Sequence, residues 1–187
     1  MVFRVGEPCS EFHVALIGQV KLFAISPAGQ EKVIELVGPG QSFAEALMFT
    51  GQRCIINAQA LTQSLLLSVG KAAVELEIER EPRFAMRMLA GISRRLHGLV
   101  HDVQAYALHS GIQRVIGYLL RELPDPPPPS FRVDLPVSKA TVASRLSLTP
   151  EYFSRVLREL EDAGLITVNK REICILDCQG LADYPLG

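Results

Sequence analysis

Three residues in the last third of the chain carry chemistry at a useful spacing. Glu151, Ser154 and Arg155 stand at i, i+3 and i+4, so a helix would set an acid, a hydroxyl and a guanidinium on one face. An arginine can grip guanine O6 and N7 with two hydrogen bonds, a glutamate can accept from cytosine N4, and a serine can meet either base type. That set suits the reading of base edges rather than the making or breaking of bonds. Lys139, Thr149, Lys170 and Arg171 surround it in sequence and have the donors that hold phosphate oxygens and fix register.

The elements that must position these groups are legible around them. Thr149, Pro150 and Glu151 give an N-cap, a first-turn proline and an acid at the positive end of a helix. Phe153, Val156, Leu157 and Leu160 form its apolar side, and Gly164 suits the residue just past its end. Val137 to Leu146 reads as a preceding short helix capped by Ser138, with a tight turn at Ser147-Leu148. Leu165–Val168 and Glu172–Leu176 follow as strands around Asn169-Lys170-Arg171, and Phe131–Leu135 alternates as another strand. Helix, turn, helix and hairpin predict a winged helix-turn-helix. From Ser138 onward there are six Lys/Arg and seven Asp/Glu, so contact with DNA must use a local basic face, with Glu159 and Asp162 turned away. A winged helix used only for protein contact is the blander alternative.

Upstream lies a long helical stretch from Glu81 to Leu108 with no proline beyond Pro82. Ala85, Leu89, Ile92, Leu96, Leu99, Val103 and Tyr106 recur at intervals of four and three, which is a heptad seam. At 1.5 Å per residue the helix would run about 42 Å. A seam of that length predicts pairing with a second copy; packing inside its own chain is the alternative. Ile112–Leu123 reads as a further helix, ended by the proline run from Pro124 to Pro129, a stiff connector. Gly111 is suited to serve as a hinge between the long helix and the C-terminal domain.

The first seventy or so residues show short apolar runs broken by turns. Val2–Val5, Val20–Phe23 and Lys32–Leu36 have strand composition, and the spacing predicts an antiparallel sandwich, barrel or roll. The fold class is therefore α+β: an antiparallel β-roll, a long helix and a winged helix-turn-helix. With 48% hydrophobic and 21% charged residues among 187, and a net charge of -1, disorder and a polybasic tail are excluded. The opening lacks the apolar core of a secretory signal, no run is long enough to span a bilayer, and Cys9, Cys54, Cys174 and Cys178 make no disulfide framework. The expectation is a cytoplasmic protein. Catalysis by a metal-dependent roll would want clustered histidines and carboxylates, and the roll contributes only His13, so no enzyme is expected. His97 and His101 share a helix face at metal-ligand spacing but lie off the seam, where exposed histidines are commoner.

With these residues in view, the sequence resembles the Crp/Fnr family of bacterial transcription regulators over nearly its whole length. Gly18-Gln19-Val20-Lys21-Leu22 and Gly40-Gln41-Ser42-Phe43-Ala44-Glu45-Ala46 look like the family's β-roll landmarks, and Leu148 to Arg155 looks like its recognition helix. The Glu-x-x-Ser-Arg pattern is similar to the Fnr side; the cyclic-AMP side has Arg where Pro150 stands and Gly where Ser154 stands. The resemblance implies a β-roll sensor domain of the cyclic-nucleotide-binding type over 1–78, a dimerisation helix over 79–110 and a winged helix-turn-helix over 111–187. It implies a homodimer on a palindromic TTGAT-type site in double-stranded DNA, read by Glu151, Ser154 and Arg155, with RNA polymerase as a further partner if the protein activates. The family's N-terminal lead segment has no counterpart here.

Phe43 to Phe49 and Arg171 to Asp177 look closest to the Dnr (dissimilative nitrate respiration regulator) type, which implies haem, nitric oxide sensing and control of denitrification. Phe43, Glu45 and Arg53 are the candidate effector-pocket residues. A cyclic nucleotide is not expected, because the phosphate-binding Arg-Ser pair is broken at Arg53-Cys54, although a cyclic-nucleotide-responsive regulator remains an alternative. An iron–sulfur cluster is not expected either, since the cysteines are divided between the two ends. A constitutive member with no effector is a third reading.

Overall fold

Alternation of apolar and polar residues shapes the N-terminal half. In the computed structural model, which describes residues 1–185, that half contains β1 (Glu11–Ile17), β2 (Val20–Ile25), β3 (Glu31–Val37), β4 (Ser42–Phe43), α1 (Glu45–Thr50), β5 (Asn57–Ala60), β6 (Leu65–Gly70) and α2 (Lys71–Arg80). The strands make two antiparallel three-stranded sheets, ordered β4-β1-β6 and β3-β2-β5. Their inward residues Phe3, Ala15, Val20, Leu22, Val37, Phe43, Cys54 and Ala58 form one core. Phe12, Met48 and Val74 form a second, against which Ile78, Phe84 and Met88 are half-buried, so α1, α2 and the next helix all use it.

One expected strand is absent. Val2–Val5 contributes only an isolated bridge from Phe3 to Ala58, because the chain turns at Gly6 before a ladder can extend. Helix α2 was not foreseen at all: Val74 is its single buried residue, too little to set an apolar period.

The long helix, α3 (Arg83–Leu108), runs 26 residues without one that is buried. The division of the chain into two compact units falls inside it, after His101, so Asp102 onward belongs with the C-terminal unit. That unit continues with α4 (Gly111–Leu120), β7 (Phe131–Asp134), α5 (Lys139–Arg145), α6 (Pro150–Asp162), β8 (Ile166–Asn169), β9 (Glu172–Ile175) and α7 (Cys178–Ala182). Ser110 and Gln113 cap α4 reciprocally. β7, β9 and β8 form an antiparallel sheet in that order. Gly111 is the first residue of α4, and a Cβ there would lie 2.5 Å from Tyr152 Cε1. Close packing against Tyr152 accounts for a glycine at this position.

Candidate nucleic-acid interface and sensor site

Helix α6 begins as its sequence dictates. Thr149 Oγ1 accepts from the Tyr152 amide at 3.2 Å, Pro150 sits in the first turn and Glu151 follows at the positive end. At the other end Ala163 closes the helix and Gly164 takes φ 72°, with Leu165 N donating to Leu160 O and Gly164 N to Glu161 O, a Schellman pair. Phe153, Val156, Leu157 and Leu160 are buried. The opposite face carries Glu151, Ser154, Arg155 and Arg158, which with Pro150 line a shallow open depression. Glu151, Arg155 and Arg158 are exposed and Ser154 is half-exposed.

Arg155 does not hang loose. Its guanidinium lies 4.8 Å from the centroid of the Tyr152 ring, a cation–π contact that restricts where the fork can point. Tyr152 is in turn seated where Gly111 leaves room. Sequence reasoning did not count Tyr152 among the base-contacting residues; its i, i+3 spacing from Arg155 on the outward side of a helix was the signal available for its supporting role.

Helix α5 is held in place by its own caps. Ser138 Oγ accepts from Thr141 N at 3.1 Å. At the far end Ser147 adopts φ 55°, Leu148 N donates to Ala143 O and Ser147 N donates to Ser144 O. This is a second Schellman turn, built on a serine instead of glycine. Lys139 is half-buried at the first position of α5, Thr149 uses its hydroxyl oxygen as the α6 cap, and Lys170 and Arg171 are exposed at the tip of the β8–β9 hairpin, Lys170 with φ 55°.

The seam on α3 divides. Leu89, Leu96, Leu99 and Val103 are 56%, 59%, 37% and 65% exposed, Ala85 and Ile92 are half-exposed, and Tyr106 is half-buried against its own chain.

In the N-terminal unit the three effector-pocket candidates go to different places. Phe43 is fully buried, with its ring centroid 6.0 Å from that of Phe3 and 5.1 Å from that of His13. Arg53 is exposed and donates to the Gly6 carbonyl at 2.8 Å. Glu45, at the head of α1, is buried and meets Arg95 Nη1 at 2.8 Å. Arg95 reaches from α3 to bridge Glu45, Glu35 (Nε to carboxylate 3.1 Å) and the Ser42 carbonyl. Burial works against the Arg95 charge, but Glu35 and Glu45 outweigh it and raise its pKa. Sequence reasoning missed Arg95, because nothing local links residues 50 and 60 positions apart.

His13 is buried, its Nδ1 2.8 Å from Ser68 Oγ, and burial lowers its pKa although Glu11 opposes the shift. His97 and His101 are exposed on α3. Burial, together with the neighbouring Cys9 thiol, pushes Cys54 up to about 11, so at neutral pH it is a thiol rather than a ligating thiolate. Among the described residues no group of three or more His, Cys, Asp or Glu is placed to hold a metal ion, and no helix is long and apolar enough to cross a membrane.

Comparison with known proteins agrees with this division. The cyclic nucleotide-binding domain model matches residues 1–81, and the Crp-like helix-turn-helix domain model matches residues 113–184. The global nitrogen regulator of Synechocystis is 28% identical over 93% of this chain and 80% of its own length. A solved structure of a candidate cyclic nucleotide binding protein from Ruegeria pomeroyi is 32% identical, covers 98% of this chain and 80% of that one, and superposes with a TM-score of 0.64. FixK2 from Bradyrhizobium japonicum shares the fold, with a TM-score of 0.84 over 100% of this chain and 92% of its own at 20% identity. The curated relatives are transcription regulators and not enzymes. With a sensor-type roll at one end, a Crp-like reader at the other and a relative at 32% identity along almost the whole chain, the chain belongs to the Crp/Fnr family of DNA-binding transcription regulators.

Proposed function

We propose that two copies pair along α3 and read a palindromic TTGAT-type site, with Glu151, Ser154 and Arg155 of each α6 on the bases. The observation that carries this is α3 itself: 26 residues with none buried and a line of exposed leucine and valine. An apolar stripe of that length facing water is stabilised by a second copy. Pairing would bring two readers to half-sites about one helical turn, roughly 34 Å, apart. Lys139, Lys170, Arg171 and the Thr149 end of α6 would hold phosphates. Sedimentation with and without a TTGAT-N4-ATCAA duplex, alongside a gel shift, tests it: a monomer that ignores the palindrome sinks the reading. If the protein activates, RNA polymerase is its further partner. The Dnr resemblance, with a global nitrogen regulator among the relatives, supports nitrogen metabolism as the sphere of control.

A nitric oxide input through haem would need an axial ligand presented to an apolar cavity. His13 is bonded to Ser68 and packed on Phe43, and His97 and His101 face out from α3. None of these three histidines is placed to serve as a haem ligand. A second reading, a constitutive regulator without a small effector, is favoured by one observation: the Glu45 carboxylate is already satisfied by Arg95. An absorption spectrum after haem reconstitution separates the two.

A further inference from the structure

Within the C-terminal unit polar groups join the last two turns of α3 to α5. Arg145, the final residue of α5, places Nη2 2.6 Å from Asp102 Oδ2 and Nη1 2.8 Å from the Tyr106 hydroxyl. That hydroxyl donates its proton to the Arg145 carbonyl at 2.6 Å, so donor and acceptor capacity are both engaged by one residue. From α4, Arg114 Nη1 donates to the Leu146 carbonyl at 2.9 Å, and its guanidinium lies 5.8 Å from the Tyr106 ring centroid. The carbonyls of residues 145 and 146 are among those a helix end leaves without intrahelical donors. Side chains from α3 and α4 supply the donors here, at the turn that leads directly into α6. The ion pair is largely withdrawn from water, with side-chain exposures of 16% for Arg145 and 25% for Asp102.

We propose that Asp102, Tyr106 and Arg145 form a clasp that fixes the reader on the end of α3 and thereby sets which half-site spacing the protein accepts. The clasp has this role only in the paired protein proposed above. In a symmetric pair the separation and angle of the two α6 helices depend on the paired stripe and on this joint. Adding one base pair between half-sites shifts and rotates the second site by about a tenth of a helical turn. A stiff joint rejects that displacement; a slack one follows it. Asp102, Tyr106 and Arg145 are positioning residues, since none of them lies on the reading face.

The test is selection by the full chain from a pool of duplexes with randomised half-sites and variable spacers, for wild type, Asp102→Asn and Tyr106→Phe. Asp102→Asn removes the charge from the ion pair, and Tyr106→Phe removes the hydroxyl that both donates to and accepts from Arg145, so discrimination between the preferred spacer and its neighbours should fall roughly tenfold in either variant. Base preference inside each half-site and sedimentation as a dimer should stay as in wild type. Unchanged spacer selectivity overturns the clasp and leaves the paired reading intact. Loss of base preference together with spacing also overturns it, because the three residues would then merely keep the reader folded. Variants that sediment as monomers assign the residues to the spine instead, which overturns the clasp as well. A wild-type motif without any repeat overturns the paired reading and the clasp with it.

Discussion

Arg95 on α3 and Glu45 at the head of α1 are joined by an ion pair of 2.8 Å, and the Glu45 side chain keeps only 6% of its surface. The same guanidinium also satisfies Glu35 and the Ser42 carbonyl. Glu45 is one of the candidate effector-pocket residues, so a ligand seeking its carboxylate would have to displace a cation held by two acids. Arg95→Met strands a buried carboxylate and should cost roughly 2–4 kcal/mol of stability. Arg95→Met combined with Glu45→Gln should recover part of that loss, as read by urea denaturation. Additive losses would show that the two residues do not interact.

At the reading face, Arg155→Ala should cost about 1–3 kcal/mol of discrimination at one base pair in each half-site. Scanning every position of the bound duplex measures it. A variant with the wild-type preference throughout would remove Arg155 from base reading.

The position of Gly111 bears on the same arginine. Gly111→Ala places a methyl carbon 2.5 Å from Tyr152 Cε1, so the ring must move and Arg155 loses its platform. The clashing atoms are the outer end of a half-exposed ring that can swing aside, so the effect expected is weaker sequence discrimination with little change in stability. Tyr152→Ala in the same chain should relieve the clash without restoring discrimination. Unaltered discrimination by the single variant would contradict the platform role of Tyr152.

On α3, Leu96→Lys or Leu99→Lys puts a charge in the middle of the exposed stripe. Each variant should sediment as a monomer and bind the palindrome weakly. A stable dimer from either substitution would count against pairing along this face.

Burial lowers the His13 pKa from 6.5, so the unfolded chain takes up its proton before the folded one does. Stability is therefore whole above 6.5 and declines as the pH falls below it, until the folded group titrates as well. Comparing urea midpoints at about pH 7.5 and about pH 5.5 should show a loss in wild type that is smaller in His13→Asn. Equal losses in the two proteins would clear His13.

Local signals carried the reader. Ser138, Thr149, Pro150 and Gly164 sit at helix ends, where a single side chain or one positive φ decides the structure, and the structure has them in those roles. The apolar side of α6 was equally plain in the order of its residues. What sequence concealed was tertiary. Val2–Val5 has strand composition but lacks room for a ladder. Phe43 sits in a family landmark yet serves the core. Arg95 and Arg145 look like surface charges until the fold brings acids from distant segments to them. Ser147 adopts a glycine-like backbone, and its residue type gives no hint of it.

If two copies cover the oily ridge on α3 as proposed, the protein's behaviour follows its abundance. A solitary polypeptide exposes Met86, Leu89, Leu96, Val100 and Val103 to water, which makes it the species prone to clumping and to proteolysis. Association that covers the ridge would depend on concentration, so a cell holding few copies would lose the regulator by dilution, whatever signal reaches the roll.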